Sequence, residues 1–173
     1  MLTKIDLCSM ALLKLGEAPI QSLTDDTAAS RLSRTLFDPV IDALLASHVW
    51  RFACRTYELT RNTDGDFLIP ADCLRVVKSH GEIQGNKILC PGADTLTIVG
   101  MSRVTPDAFP GYFASLAATR LAMEFCIPLL GEQNVFRMLA ALYETELQSA
   151  KFIDSTTSAS KAIDNFSLIS TRF

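Results

Sequence analysis

The chain has 173 residues, of which 49% are hydrophobic and 20% charged, and its formal net charge is −3 at pH 7. This length is typical of one domain with a single core. The net negative charge argues against nucleic-acid binding, which needs Lys and Arg in excess. The mean hydropathy of +0.23 is high for a soluble protein, so we expect part of the surface to meet a partner chain.

The longest apolar window covers residues 112–130, close to the roughly 18 to 20 uninterrupted apolar residues of a membrane span. Arg120 and Glu124 lie inside this window, so it indicates a buried helix instead. Lys4 and Asp6 near the N-terminus do not fit the apolar stretch of a signal peptide, and we expect no export signal.

The first helix is predicted over residues 3–15. Thr3 and Asp6 have the spacing of a capping box, in which each side chain accepts a hydrogen bond from the other residue's backbone N–H. Apolar residues then recur at helical spacing, and Gly16 supplies a stop.

The second helix is predicted to begin near Ser22 and Asp25 and to end near residue 49. Pro39 interrupts its pattern because proline has no N–H for the helical ladder and disfavours helical geometry at the residue before it. We expect a kink or short break there, and a restart with Asp38 as N-cap is the alternative.

From residue 57 to residue 101 the periodicity becomes extended, with turn residues at short intervals. The segment predicts a small antiparallel sheet with a strand over 74–78 and a hairpin that joins 87–90 to 95–99. Asp64 and Asp66 flank Gly65 in a polar turn, and a calcium loop would need a longer series of oxygen ligands.

Helical periodicity returns at Phe109, and a fourth helix is predicted from Glu132, antiparallel to the third. Its inner side is predicted to hold Phe136, Leu139, Leu142, Tyr143 and Leu147. The sequence therefore predicts an α+β fold with a mainly helical body of about four helices, residues 1–56 and 106–151, a small antiparallel β-sheet inserted between helices two and three at 57–105, and an extended C-terminal tail, 152–173.

Motifs of catalysis and metal binding do not occur in the sequence, including the phosphate loop, the nucleophile elbow and the zinc-protease motif. His48 and His80 are the two imidazoles, and a structural role is favoured for each. The five cysteines are widely spaced with no C-x-x-C pair, so we expect reduced core cysteines, no disulfide, no metal and no cofactor.

One cluster near the end of the second helix is unusual. Asp42, Arg51 and Arg55 surround Trp50 in the sequence, and Trp and Arg are favoured anchors of interfaces. We take Trp50, Arg51, Phe52 and Arg55 as candidates for a subunit or partner interface. For Trp50 and Phe52 a place in the core is the alternative.

Three segments resemble the head-to-tail adaptor of short-tailed bacteriophages, the family often called tail tubular protein A. The matching segments are Ala11-Leu12-Leu13-Lys14-Leu15-Gly16 with Ile20 and Ser22-Leu23, then Phe37-Asp38, Asp42, Leu44-Leu45, His48, Trp50, Phe52-Ala53 and Arg55, and then Ile69-Pro70-Ala71-Asp72-Cys73-Leu74-Arg75-Val76. The second is similar to the family's His-Pro-Trp-Asn-Phe-Ala motif, with Val49 in place of Pro and Arg51 in place of Asn. The third is similar to its Leu-Pro-x-Asp-Cys-Leu-Arg-Val segment.

The resemblance implies a structural virion protein at the neck, made in the host cytoplasm, that forms a dodecameric ring beneath the portal protein. The tail nozzle protein would attach on the far side, and genomic DNA would pass through without sequence-specific binding. In the family the C-terminal segment runs along the portal, which implies portal docking here by Ile163, Phe166, Leu168, Ile169 and Phe173.

Two other functions remain as alternatives to a non-enzymatic adaptor. A cell-wall hydrolase carried in the virion would need a carboxylate pair, for which Glu124, Glu132, Glu144 and Glu146 are available. A helical DNA-binding regulator is disfavoured by the sequence pI of about 5.3.

Overall fold

The computed structural model describes residues 1–156 as an α+β fold with a β insertion between the second and third helices, which confirms the predicted fold class. The elements are α1 (Lys4–Lys14), α2 (Ala28–Ser47), β1 (Cys54–Thr60), β2 (Phe67–Leu68), β3 (Cys73–Lys78), β4 (Glu82–Gln84), β5 (Lys87–Leu89), β6 (Thr95–Ser102), α3 (Gly111–Leu130) and α4 (Gln133–Thr156). Short 3-10 turns, Arg51–Ala53 and Pro106–Ala108, connect the insertion to the helices on either side.

Helix α1 begins as the capping box predicts. The Thr3 hydroxyl accepts a hydrogen bond from the Asp6 N–H at 3.1 Å, and the Asp6 carboxylate accepts one from the Thr3 N–H at 2.8 Å. These bonds satisfy two donors that a helix N-terminus leaves free. The Thr3 hydroxyl also donates to the Asp6 carboxylate at 2.7 Å, and this bond together with the one from the Thr3 N–H lowers the pKa of Asp6.

Helix α2 begins later than predicted, with Thr27 as its N-cap. The predicted start at Ser22 is wrong because the Ser22 N–H donates to Asp25 at 3.1 Å within a local turn, and such side-chain bonds compete with helix formation. The helix is continuous across Pro39, so both a short break there and a restart at Asp38 are wrong. Pro39 lies on the exposed side of α2.

The insertion contains two three-stranded antiparallel sheets, in the orders β1-β6-β3 and β2-β5-β4. The predicted hairpin of 87–90 with 95–99 is wrong, because β6 pairs with β1 and β3. Strand β5 instead pairs with β4 across the turn at Gly85, which has φ +61°. Local turn residues indicated where strands end but did not determine which strands pair.

The insertion has a hydrophobic core of its own, so the single core expected from chain length is divided in two. Leu59, Leu96 and Ile98 of the first sheet pack with Phe67 and Ile88 of the second. The larger core joins the three helices α1, α2 and α3 to the Trp50 turn and to Met101 of β6. The two sheets therefore form a small sandwich attached to the helical body.

Helix α3 lies at the centre of the body. It packs against α1, α2 and α4, and fully buried side chains such as Phe113, Leu121 and Phe125 surround its axis. By length and composition alone it could cross a membrane, with a mean hydropathy of 1.4, but 61% of that window is buried inside the protein. Arg120 and Glu124, four residues apart, form an ion pair at 2.6 Å.

Helix α4 runs antiparallel to α3 and extends beyond its predicted end. Residues 152–156 are helical, so the boundary placed at 152 falls inside the helix. Of the predicted inner residues, Leu139 is buried and Tyr143 and Leu147 are half-buried, but Phe136 and Leu142 are 36% and 41% exposed. The predictions for those two are wrong because α4 covers α3 with one narrow side only.

Candidate functional site

Trp50 lies in the core and not at an interface. Its side chain has no exposed surface, and its indole N–H donates to the Leu44 carbonyl at 3.0 Å. Edge-to-face contacts join it to His48 and Phe113, with ring centroids 4.8 and 5.1 Å apart. Phe52 is half-buried and packs against Phe113 at 4.8 Å. The core alternative is therefore correct for Trp50, and its assignment to the interface is wrong.

Arg51 and Arg55 are exposed, as an interface role requires. Within residues 1–156 neither side chain forms an ion pair. Asp42, which the sequence grouped with them, pairs instead with Arg103, whose Nε donates to Asp42 Oδ1 at 2.9 Å. The predicted cluster therefore does not form, and the two arginines stay candidates for contact with another chain.

Asp154 contacts the predicted interface segment at Arg51, and the sequence analysis did not identify it. Its carboxylate is 2% exposed and accepts hydrogen bonds from the Arg51 N–H at 3.1 and 3.2 Å and from the Tyr112 hydroxyl at 2.7 Å. Burial and this hydrogen bond raise the pKa of Tyr112 above its usual range. Asp154 thereby holds the last turn of α4 against the turn that follows Trp50.

A second polar cluster fixes the middle of α4. Glu146 accepts hydrogen bonds from Ser115 at 3.1 Å and Thr119 at 2.5 Å, and it pairs with Lys14 at 3.3 Å. Lys14 also donates to Thr119 at 2.8 Å. The cluster connects three helices, because Lys14 lies on α1, Ser115 and Thr119 on α3, and Glu146 on α4.

The remaining polar candidates have structural surroundings. His48 is half-buried, and burial together with the charge of Lys151 lowers its pKa, which favours the neutral imidazole. Asn62 accepts from the Asp64 and Asp66 N–H groups at 3.1 and 2.8 Å. The 64–66 segment is therefore a turn, and Asp66 pairs with Lys87 at 2.8 Å.

The five cysteines are free thiols. Cys8 and Cys126 are buried, and burial raises the pKa of Cys8 to about 11. Cys54, Cys73 and Cys90 are half-buried, with Cys54 packed against the larger core and Cys90 against the core of the insertion. Among residues 1–156 no three His, Cys, Asp or Glu side chains are grouped as ligands of a metal ion.

An exposed apolar surface follows one side of α4. A depression of about 360 Å³ is lined by Lys14, Val135, Met138, Leu139 and Leu142, and we call it the α1–α4 face. Met138 is 73% exposed and Leu142 41% exposed, and Leu13, next to Lys14 on α1, is 61% exposed. Contiguous apolar surface of this kind is typical of contact with another chain.

The predicted portal-docking residues Ile163, Phe166, Leu168, Ile169 and Phe173 lie outside the described residues. Comparison with models of known protein families finds no match. Comparison with curated proteins finds no significant similarity either. A function for this chain therefore has to be argued from its own residues.

Trp50→Ala is expected to lower the free energy of unfolding by about 3–5 kcal/mol, because it leaves a cavity under the aromatic cluster. Phe152→Ala, at a side chain that is 69% exposed, is the control and should change it by less than about 0.5 kcal/mol. Urea unfolding followed by circular dichroism measures both. Equal effects of the two substitutions would contradict the core assignment.

Asp154→Ala is expected to lower the free energy of unfolding by about 2–3 kcal/mol, because the Arg51 N–H and the Tyr112 hydroxyl lose a buried, charged acceptor. Hydrogen exchange should become faster in residues 150–156 and at Arg51, while the start of α4 stays protected. Asp107→Ala, at an exposed position, is the matched control. Unchanged exchange at Arg51 would show that Asp154 does not hold the two segments together.

Proposed function

We propose that this chain is a subunit of a head-to-tail adaptor ring in a short-tailed bacteriophage virion. It would act by binding, with no catalytic role and no cofactor, beneath the portal protein and above the tail nozzle protein. The observation that carries the proposal is the α1–α4 face, because a folded subunit that leaves Met138 and Leu142 exposed has an apolar surface available for a neighbour.

A ring also needs a second, different surface on each subunit, since head-to-tail contacts join unlike patches. The β insertion offers exposed apolar surface of its own, with Leu68 of β2 at 50% exposure. Leu68 follows Phe67, which belongs to the core of the insertion and not to the core under the α1–α4 face. The subunit thus has unlike apolar patches, as closure of a ring by identical chains requires.

Two of the three segments that resemble the family lie near the junction of the helical body and the insertion. Asp72 accepts hydrogen bonds from Tyr57 at 3.2 Å and from Ser102 at 3.3 Å, and its carbonyl accepts one from the Arg103 N–H at 2.7 Å. Trp50 lies under the turn that leads into β1. Two motifs of the family thus lie near the same junction of the fold, which supports the resemblance of this chain to that family.

No observation favours the hydrolase alternative. Glu124 is paired with Arg120, and Glu146 is occupied by Lys14 and two hydroxyls. Glu132 and Glu144 are exposed on the surface. The acidic composition suits a channel that releases DNA, because a channel that gripped phosphates would slow ejection.

Light scattering coupled to size exclusion tests the ring. The chain mixed with the portal protein of the same genome is expected to shift to one large stoichiometric complex. Met138→Glu should reduce that shift because it puts a charge on the α1–α4 face, whereas Gln148→Glu, exposed elsewhere on α4, should not. A chain that stays monomeric beside its portal would contradict the proposal.

Removal of residues 157–173 tests the docking tail. The truncated chain is expected to keep the helical circular dichroism of the body, because Asp154 and its contacts remain, and to lose attachment to the portal. Truncation at 151 would instead remove Asp154 and destabilise the body. Unchanged portal affinity of the chain that ends at 156 would show that the docking residues lie elsewhere.

A further inference from the structure

The two sheets of the insertion leave one side of their sandwich open. Strand β1 lies next to β2, so the sandwich is closed on that side. At the other side the first sheet ends at β3 and the second at β4. An edge strand presents backbone N–H and C=O groups that pair with no neighbour in its own sheet.

A groove of about 570 Å³ follows the free edge of β3. Four consecutive residues, Cys73 to Val76, line it. Consecutive residues of a strand point to opposite faces, so a groove that reaches all four runs along the strand's edge. Ile83 of β4 and the Gly85-Asn86 turn form the opposite wall.

The charges along this edge are positive. Arg75 and Lys78 lie on β3, and within residues 1–156 neither forms an ion pair. The Nε of Arg75 is buried and has no hydrogen-bond acceptor in the described part of the chain. The nearby Asp72 carboxylate already accepts from Tyr57 and Ser102. Arg75 thus brings an unpaired positive charge to the lining of the groove, and Lys78 adds a second one at the end of the same strand, beyond the residues that line the groove.

We propose that the β3 edge binds an extended acidic segment of a partner protein, which adds a fourth strand to the sheet β1-β6-β3. Backbone hydrogen bonds to β3 would hold the segment, as in other cases of strand addition. An apolar side chain of the segment would contact Ile83, and a carboxylate would pair with Arg75 or Lys78. Register shifts at Leu74 and Val77 interrupt the regular ladder of β3, so we expect the segment to pair with β3 over a short stretch only.

This binding edge is separate from the α1–α4 face and does not require a ring. The test therefore uses the full chain immobilised alone, as the target of a random heptapeptide display. We expect enrichment of peptides that contain Val, Ile or Thr with Asp or Glu and that lack Pro at central positions. Amide exchange of residues 73–78 should slow when such a peptide binds.

Lys78→Glu is expected to weaken the selected peptides about tenfold, because like charges then face each other. Arg34→Glu, at an exposed arginine of α2, is the matched control and should leave their affinity unchanged. Both side chains are exposed, and circular dichroism checks that the variants fold.

Three results would overturn the inference. They are a display that enriches no peptide family, peptides that bind Lys78→Glu as tightly as the parent chain, and peptide-induced protection that lies outside β3. A dimer of the free chain in which the β3 amides are already protected would assign the edge to a second copy and would overturn it as well. None of these results depends on whether the chain assembles on a portal.

Discussion

The central constraint on this structure is the burial of α3. Its apolar residues surround the helix axis, so the helix has to be covered from several directions at once. Helices α1 and α2 pack against two of its sides, and the aromatic cluster of Trp50, Phe109 and Phe113 packs around the N-terminal end of α3. Helix α4 provides the remaining cover, but it buries few apolar side chains. Polar contacts of Glu146 and Asp154 fix its position instead, and its other apolar residues stay exposed.

That arrangement explains which sequence predictions succeeded. The capping residues of α1, the stop at Gly16 and the helical periodicity of α3 are local signals, and the elements they predicted are present. Pairing of β6 with β1 depends on residues about forty positions apart, which no local turn reveals. The exposure of Leu142 depends on how narrow a side of α4 meets α3, and the role of Asp154 depends on a turn 103 positions earlier in the chain. These long-range facts determine the candidate site, so the sequence predicted the fold better than the site.

The residues that carry the family resemblance are chiefly structural. Trp50 supports the core, Asp72 ties β1 to β6 through Tyr57 and Ser102, and Leu74 packs against the larger core. Residues in such positions stabilise the attachment of the insertion to the helices, which is a property of the fold and not of one function. They do not specify which protein the chain binds. Evidence about partners therefore has to come from surfaces that the motifs do not include.

Two such surfaces are present, and they lie on different parts of the molecule. The α1–α4 face is supported by the helical core, whereas the β3 edge lies between the two cores, with Leu74 packed against the helical core and Val76 against the sandwich core. Side chains that share no packing partners contribute nearly independently to stability and binding. A subunit built in this way can change the chemistry of one contact surface without disturbing the other. If the chain is the proposed adaptor, this separation would allow each contact to be adapted to its own partner.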